Sequence, residues 1–359
     1  MMDSPASSLE TLCAEPTARV SIRAPGRLHL GFLDPAGTLG RRFGSLGLVI
    51  DGFETEVELC DSQAPRISAT GPAERAEVER AAAHLHELQR HSGRPDPLHL
   101  RLVRVLPAHA GFGSGTQLAL AIGRAFAQWH RLDIATPRLA QWLGRGVRSG
   151  IGIAGFDQGG LLVDGGPGND GAPASVLSRI ALPAAWRVVV VQDSGHRGLS
   201  GAAERSAIAS IPPLPQALAA DICHQVLMRV LPGAASGEFA PFASGITRIQ
   251  RVLGEHFAPA QGGGVFTSPA VGRLIEWLAS AAPLHAVGTL HDDDAAVAIG
   301  QSSWGPTGFA IVASQDRADA LVRAAHAAQM VAPHLTIDIV SARRTGASII
   351  DRRQAAAAR

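Results

Sequence analysis

The segment Leu106-Pro-Ala-His-Ala-Gly-Phe-Gly-Ser-Gly-Thr-Gln-Leu118 constrains this chain more than any other. Three alternating glycines, Gly111, Gly113 and Gly115, carry Ser114 and Thr116 and run into apolar residues at Leu118, Ile122, Ala125 and Trp129. That spacing is one face of a helix. A glycine-rich turn opening a helix lets backbone N–H groups approach an anion, and the helix dipole adds partial positive charge. Ser114 and Thr116 can cap the helix or donate to phosphate oxygens. The pattern is neither a Walker A loop nor the dinucleotide fingerprint. Taken alone it admits two readings, a phosphate site and a plain strand–turn–helix joint.

At 359 residues the chain exceeds the usual single-domain ceiling, so two domains are expected. No apolar run approaches the roughly 18 residues of a membrane span. Residues 1–17 carry no basic-then-apolar pattern and read as a disordered tail, as do residues 351–359. A formal charge of +1 excludes a nucleic-acid footprint. Cys13, Cys60 and Cys223 are odd in number and far apart, which argues against a disulfide framework or zinc site and fits a reducing cytoplasm. The chain has no lysine and no tyrosine, so a lysine base and Schiff-base chemistry are excluded. Its cations are arginines, which clamp oxyanions bidentately and do not carry protons.

Along the chain, 18–60 alternates as strands interrupted at Pro25-Gly26 and Asp34-Pro-Ala-Gly37, and 73–91 is helix-like. His84 and His86 there read as surface residues on different faces. Leu98–Leu106 is a strand delivering the chain into the glycine-rich loop. A helix from Thr136 to Leu143 is followed by 148–160, whose glycine density reads as a second functional loop, then by a buried strand at Leu161–Val163. The Pro/Gly-rich stretch from Gly165 to Ala174 marks the domain boundary, giving units 18–172 and 173–350. Beyond it come strand 186–192, helices near 214–231, 237–256 and 269–281, the small-residue loop 300–308, strand 309–312, helix 316–330 and strand 335–340. The fold class read from this order is α+β.

Ala24-Pro-Gly-Arg-Leu-His-Leu30, Pro107-Ala-His-Ala-Gly-Phe-Gly-Ser-Gly-Thr116 and the C-terminal glycine-rich loop, in that order, resemble the GHMP superfamily of small-molecule kinases and their relatives. The resemblance implies a two-domain fold, an N-terminal mixed sheet with helices and a C-terminal ferredoxin-like sandwich. Within the superfamily the chain most resembles the β-ribofuranosylaminobenzene 5′-phosphate synthase family. Arg27-Leu-His-Leu-Gly31, Arg42-Phe-Gly-Ser-Leu-Gly47, Arg148-Ser-Gly-Ile-Gly152, Gly159-Gly-Leu-Leu-Val-Asp164, Gly198–Glu204 and Gln301-Ser-Ser-Trp-Gly-Pro306 carry that likeness. It implies condensation of phosphoribosyl pyrophosphate with 4-aminobenzoate or 4-hydroxybenzoate, releasing carbon dioxide and pyrophosphate, towards methanopterin-type one-carbon carriers. It further implies a cytoplasmic homodimer that uses Mg²⁺ and consumes no ATP.

Several residues suit that chemistry. The loop Gly111, Gly113, Ser114, Gly115 and Thr116 offers phosphate donors. Arg27, Arg42 and Arg148, with Ser149 and Gly150, sit beside glycines where a forked cation could grip oxyanions, the alternative for each arginine being a surface ion pair. Displacement at an anomeric carbon builds positive charge that a carboxylate can stabilise. Asp157 is the candidate, with turn capping as its bland alternative. Glu204 is a weak candidate for Mg²⁺, and Asp164 reads as a turn former. His29, on the same strand face as Arg27, is a candidate for acid/base work or for the benzoate carboxylate; His109 and His196 are weaker versions. Ser303, Trp304 and Gly305 complete the expected binding set, and Trp304 or Phe112 could stack on an aromatic ring. The acidic run 291–294 reads as a helix start rather than a metal box. Competing readings are an ATP-dependent kinase of a small alcohol with Asp157 as base, a conventional phosphoribosyltransferase around Gln192-Asp193-Ser-Gly, which lacks that loop's paired acids, and a catalytically silent binding module.

Overall fold

The alternating apolar residues of the N-terminal region form two long strands, β1 (Val20–Asp34) and β2 (Phe43–Asp61), paired antiparallel. Pro25-Gly26 does not end β1. The register instead shifts between Pro25 and Arg27, and again between His29 and Gly31. Such bulges bend a strand and re-aim its side chains, and these two bracket Arg27 and His29. The computed structural model describes residues 18–168, 174–198, 206–207, 209–281 and 296–353.

β3 (Arg66–Ala69), β4 (Leu98–Arg104), β5 (Leu161–Asp164), β6 (Val176–Ile180) and β11 (Ser348–Asp351) complete a seven-stranded sheet. Its order is β11-β1-β2-β4-β3, with β5 also on β2 and β6 outside β5; only β3 and β4 run parallel. Helices α1 (Pro72–Arg75), α2 (Val78–Ser92), α3 (Ser114–Trp129), α4 (Thr136–Trp142) and α5 (Ile151–Gln158) belong to this half. α3 is central and nearly all apolar: Leu118 through Ala127 are buried apart from Arg124.

The second sheet is β10-β7-β9-β8, from β7 (Arg187–Asp193), β8 (Ala298–Gln301), β9 (Gly308–Val312) and β10 (Leu335–Ser341). All its pairings are antiparallel. Between β7 and β8 lie α6 (Gln216–Gln225), a π-helical turn (Val226–Val230), α7 (Leu231–Ser236), α8 (Phe239–Phe257) and α9 (Pro269–Ala281). α10 (Gln315–Ala327) joins β9 to β10. Strand–helix–strand–strand–helix–strand, with the last strand beside the first, is the expected ferredoxin-like unit. β7, β8 and β9 are largely buried on both faces because both are covered, whereas the edge strand β10 exposes Thr336 and Asp338. Val188, Val190, Phe309 and Ile311 pack with α6–α8, while Val189, Val191, Ala310 and Val312 pack with α9 and α10.

Four sequence expectations are corrected here. The sheets do not part at residue 172: β6 pairs with β5, and β11 returns to pair Ser348–Asp351 with Val20–Arg23. Residue 351 therefore ends a strand rather than opening a tail, and its carboxylate accepts from Gln128 Nε2 at 3.1 Å. The glycine-dense 149–160 is not a loop, since 151–158 is the buried helix α5. Its glycines allow close packing: a Cβ on Gly155 would lie 2.9 Å from Val49, and one on Gly152 3.2 Å from Thr116. His84 is buried on α2 rather than at the surface.

Asp164 is fully buried and accepts from the backbone N–H of Gly150 (2.8 Å), Ile151 (3.1 Å) and Gly166 (2.8 Å). It thereby caps α5 and fixes the Arg148–Gly150 turn. Asp164→Ala leaves these donors unpaired and is expected to destabilise the fold by about 2–3 kcal/mol, read by urea denaturation. Unchanged stability would remove Asp164 from this role.

Candidate active site

Three distant segments meet at one hydroxyl. The Ser302 Oγ accepts from the His29 N–H at 2.9 Å and donates to the Gly111 carbonyl at 2.8 Å, tying β1 and the loop after β8 to the glycine-rich loop. Ser303 N–H donates to the His29 carbonyl at 3.1 Å, and Arg27 N–H to the Phe112 carbonyl at 3.1 Å. The approach is too close for side chains. A Cβ on Gly111, whose φ is +100°, would stand 2.5 Å from the Ser302 carbonyl oxygen, and one on Gly305 2.4 Å from Ala110. Sequence reading selected Ser303 and missed Ser302, because a small buried hydroxyl carries no motif signal of its own.

The N-terminus of α3 opens from this junction into a cleft enclosing about 2110 Å³, solvent at its mouth included. Gly111, Gly113, Ser114, Gly115 and Thr116 line it as expected, as do Arg42, Arg148, Ser149, His109 and Ser303. Arg80 and Arg145, which sequence reading missed, line it too. Arg145 lies under the loop, its Nη1 3.4 Å from where a Gly115 Cβ would be, and its Nη2 is 3.3 Å from His84 Nε2. Burial and the nearby Arg80 lower its pKa from the ordinary arginine value, yet a guanidinium stays charged at neutral pH. Four arginines, a helix N-terminus and no Asp or Glu among the described lining residues suit the cleft to an anion.

A second, apolar pocket adjoins the cleft, enclosing about 640 Å³ on the same measure. Phe32, Leu253, Phe257, Phe266, Ile299 and Trp304 form much of its wall. Trp304 packs on Phe257 with ring centroids 4.8 Å apart. His29, Phe32 and Ser303 line both chambers and form their shared edge. The neutral amides around the pocket are spent on one another. Gln301 Nε2 donates to Gln261 Oε1 at 2.8 Å, and Gln301 Oε1 accepts from Thr267 N–H at 2.6 Å. Gln250 donates to the Leu30 carbonyl at 2.6 Å and accepts from Gln301 N–H at 2.8 Å. Phe112, the other aromatic candidate, is wholly buried and stacks on Phe53 at 4.4 Å, away from both chambers' linings.

His29 is only 4% exposed, and its Nε2 has no hydrogen-bond partner. Burial foremost, then the charges of Arg27 and Arg148, push its pKa down to about 3, while a bond to its own backbone acts the other way. The proton of the neutral ring is assigned to the nitrogen bonded to that backbone, leaving the lone pair on Nε2. His29 is therefore neutral at physiological pH and not the near-neutral acid/base group that sequence reading considered.

Other candidates lie elsewhere. Arg27 is packed beneath the loop rather than among the cleft's lining residues, and its Nη1 donates to the Gly111 carbonyl at 2.6 Å. Gly150 donates to Asp164 and lies behind the Ser149 wall. Asp157 stands near the C-terminal end of α5, remote from the Arg148–Gly150 turn, and accepts from Thr136 Oγ1 at 2.6 Å. Burial raises its pKa against that bond and the charge of Arg124. A carboxylate outside the cleft cannot stabilise charge within it, so Asp157 is corrected from catalytic candidate to a partner of α4. His196 pairs with Asp193 at 2.8 Å rather than with either chamber. Glu204 and the run 291–294 lie outside the described residues. Among the described residues no group of three or more His, Cys, Asp or Glu could hold a metal ion. The described walls of the cleft, cationic or neutral, do not fit the Mg²⁺ that the resemblance implies, since a hard cation asks for carboxylate oxygens.

The mixed sheet with its loop-first helix and the ferredoxin-like second unit define the GHMP-kinase fold. Residues 77–160 match the GHMP kinases N terminal domain. A homoserine kinase structure from Cytophaga hutchinsonii superposes with a TM-score of 0.61 at 17% identity, over 97% of this chain and 100% of that one. Mevalonate diphosphate decarboxylase from Staphylococcus aureus superposes with a TM-score of 0.62 at 14% identity, over 93% of this chain and 98% of the other. At such identities the likeness is one of fold. The "Beta-ribofuranosylphenol 5'-phosphate synthase" of Archaeoglobus fulgidus is 32% identical over 305 residues, 82% of this chain and 88% of that protein. The protein of the same name from Methanothermobacter thermautotrophicus is 29% identical over 306 residues, 81% and 88% respectively. The chain belongs to the β-ribofuranosylphenol 5′-phosphate synthase family.

His29 and His84, whose pKa burial pushes down to about 4, give stability a pH signature. Their folded values lie below the unfolded value of 6.5, so the unfolded chain binds protons first as pH falls. Their contribution is complete above pH 6.5 and is lost on descending towards pH 4 and 3. From pH 7.5 to 5 each is expected to cost about 2 kcal/mol. Urea melts of His84→Asn across this range should show a shallower decline than the wild type; an identical slope would contradict the buried neutral state of His84.

Proposed function

We propose that the protein joins phosphoribosyl pyrophosphate to a 4-substituted benzoate, with loss of pyrophosphate and carbon dioxide, to give a β-ribofuranosyl arene 5′-phosphate. The observation that carries this reading is the pair of chambers of opposite chemistry meeting at His29, Phe32 and Ser303. The sugar substrate is multiply anionic and suits a cleft lined by Arg42, Arg80, Arg145 and Arg148 at the N-terminus of α3. The arene is a flat apolar ring and suits the pocket walled by Phe257 and Trp304. Family membership supports the same activity, and the relatives' names make 4-hydroxybenzoate the first acceptor to test and 4-aminobenzoate the second.

The sugar's anomeric carbon would lie at the shared edge, facing the ring carbon that bears the carboxylate. Holding the two together supplies much of the rate by proximity. The arginines favour pyrophosphate as a leaving group by holding its developing charge. Positive character on the ribosyl carbon is met by the departing pyrophosphate and by the lone pair on His29 Nε2, as the described walls of the cleft carry no carboxylate. The new carbon–carbon bond forms as the carbon–oxygen bond to pyrophosphate breaks, and expulsion of carbon dioxide returns its electron pair to the ring. The apolar pocket assists that loss, because a carboxylate there is poorly solvated and carbon dioxide is neutral.

Mg²⁺ would accompany the pyrophosphate as substrate complex rather than be held by a carboxylate of the described walls. The same reading extends to a cytoplasmic homodimer serving methanopterin-type cofactor synthesis. Two free cysteines, Cys60 and Cys223, among the described residues are compatible with a reducing compartment. No helix among the described residues is long and apolar enough to cross a membrane.

Carboxyl-labelled 4-hydroxybenzoate or 4-aminobenzoate, incubated with phosphoribosyl pyrophosphate and Mg²⁺ without ATP, should release labelled carbon dioxide only when the sugar is present. No release from either, with ATP-dependent phosphorylation of an alcohol instead, would overturn the reading in favour of a kinase. Arg42→Ala should raise the KM for phosphoribosyl pyrophosphate by about 10-fold while leaving the KM for the benzoate within twofold. An equal rise in both would move Arg42 out of the sugar site.

A further inference from the structure

We infer that Glu276, on α9 at the rim of the apolar pocket, accepts a hydrogen bond from the 4-hydroxyl or 4-amino group of the arene and so selects acceptors that carry a para donor. This rests on the proposed condensation and on the ring orientation it requires. Loss of carbon dioxide from the ring carbon that bonds to ribose fixes the carboxylate at the edge shared with the cleft. The para substituent, on the opposite ring carbon, must therefore point away from His29.

The pocket leaves few groups to meet it. Gln250, Gln261 and Gln301 have their amides committed to one another and to backbone. The Thr247 hydroxyl donates to the Val297 carbonyl at 3.3 Å and accepts from Ile299 N–H at 3.1 Å. Arg251 and Glu276 line this pocket and not the cleft, and both are exposed. Of the two, Arg251 has only donors, whereas a phenol or aniline in this reaction presents a hydrogen to be accepted. Glu276 is the only carboxylate among the described lining residues of either chamber.

Charge favours the same residue. When the ring carbon bonds to the sugar, the ring becomes an arenium whose positive charge is carried largely on the para heteroatom. A carboxylate accepting its O–H or N–H strengthens that bond as the charge develops, which lowers the barrier, while a guanidinium would oppose it. Breaking the bond to the carboxylate carbon then delivers its electron pair to the ring and neutralises the heteroatom. No net proton transfer is needed.

The test compares wild type, Glu276→Ala and Glu276→Gln by labelled carbon dioxide release from 4-hydroxybenzoate and 4-methoxybenzoate, the latter having no para hydrogen to donate. Wild type should prefer the hydroxy compound by about 100-fold in kcat/KM. Glu276→Ala should lower kcat for 4-hydroxybenzoate by about 10- to 100-fold, with the KM for phosphoribosyl pyrophosphate within twofold. It should also bring the hydroxy-to-methoxy preference to within a few-fold of one. Glu276→Gln, which keeps an acceptor oxygen and loses the charge, should keep the preference and lose kcat. Thermal melting reports whether each variant is folded. If wild type releases carbon dioxide and both variants match it in rate and preference, this inference fails and the condensation stands. If wild type releases none from any benzoate, both fail.

Discussion

Ser302 holds the site together. One hydroxyl partners the buried His29 N–H and, together with Arg27 Nη1, the half-buried Gly111 carbonyl, groups that belong to segments far apart in the chain. Neither strand pairing nor the helix ladder supplies those partners, and unpaired backbone groups at such depth are costly. The close approach of Gly111 and Gly305 to neighbouring backbone is tolerable because these contacts are satisfied rather than merely crowded. The positions of the α3 N-terminus, Arg27 and the edge shared by the two chambers all follow from this knot.

The two chambers divide the work by solvation. Arginine and helix N–H groups suit phosphate oxygens in the cleft, and hydrocarbon walls suit a ring and disfavour its carboxylate in the pocket. His29 stands between them without a charge of its own, because burial foremost, and then the charges of Arg27 and Arg148, oppose protonation of the imidazole. Neighbouring phosphate would offset the guanidinium share of that effect and leave the share due to burial. The arginine charge lining the cleft is independent of pH, since guanidinium does not titrate in the working range.

Much of this was legible in the sequence because periodicity and glycine placement are local signals. The α3 stripe, the loop at 111–116 and the order of strands and helices beyond 186 are written in neighbouring residues. The misread features depend on distant partners. The glycines of 149–160 suggested a loop, yet Gly152 and Gly155 serve close packing of a helix against Thr116 and Val49. Asp157 matched an expected acid by position and turned out to bond Thr136 outside the cleft. Arg80 and Arg145 reach the cleft only through the way α2 and the chain after α4 pack beside the loop, which no spacing discloses. The return of β11 to β1 has the same character, a pairing of 348–351 with 20–23 that becomes visible only in three dimensions.

The two sheets also share one of the apolar clusters of the described residues. Leu28, Leu30, Leu46 and Leu48 from the first sheet lie in one apolar cluster with Val188, Val190, Phe309 and the Trp186–Phe239–Phe242 group of the second half. Swinging one half away from the other would open that cluster to water, at a cost set by its large apolar area. The two sheets are thus held as parts of one mould rather than as the halves of a jaw, and the described walls of both chambers rest on that shared cluster.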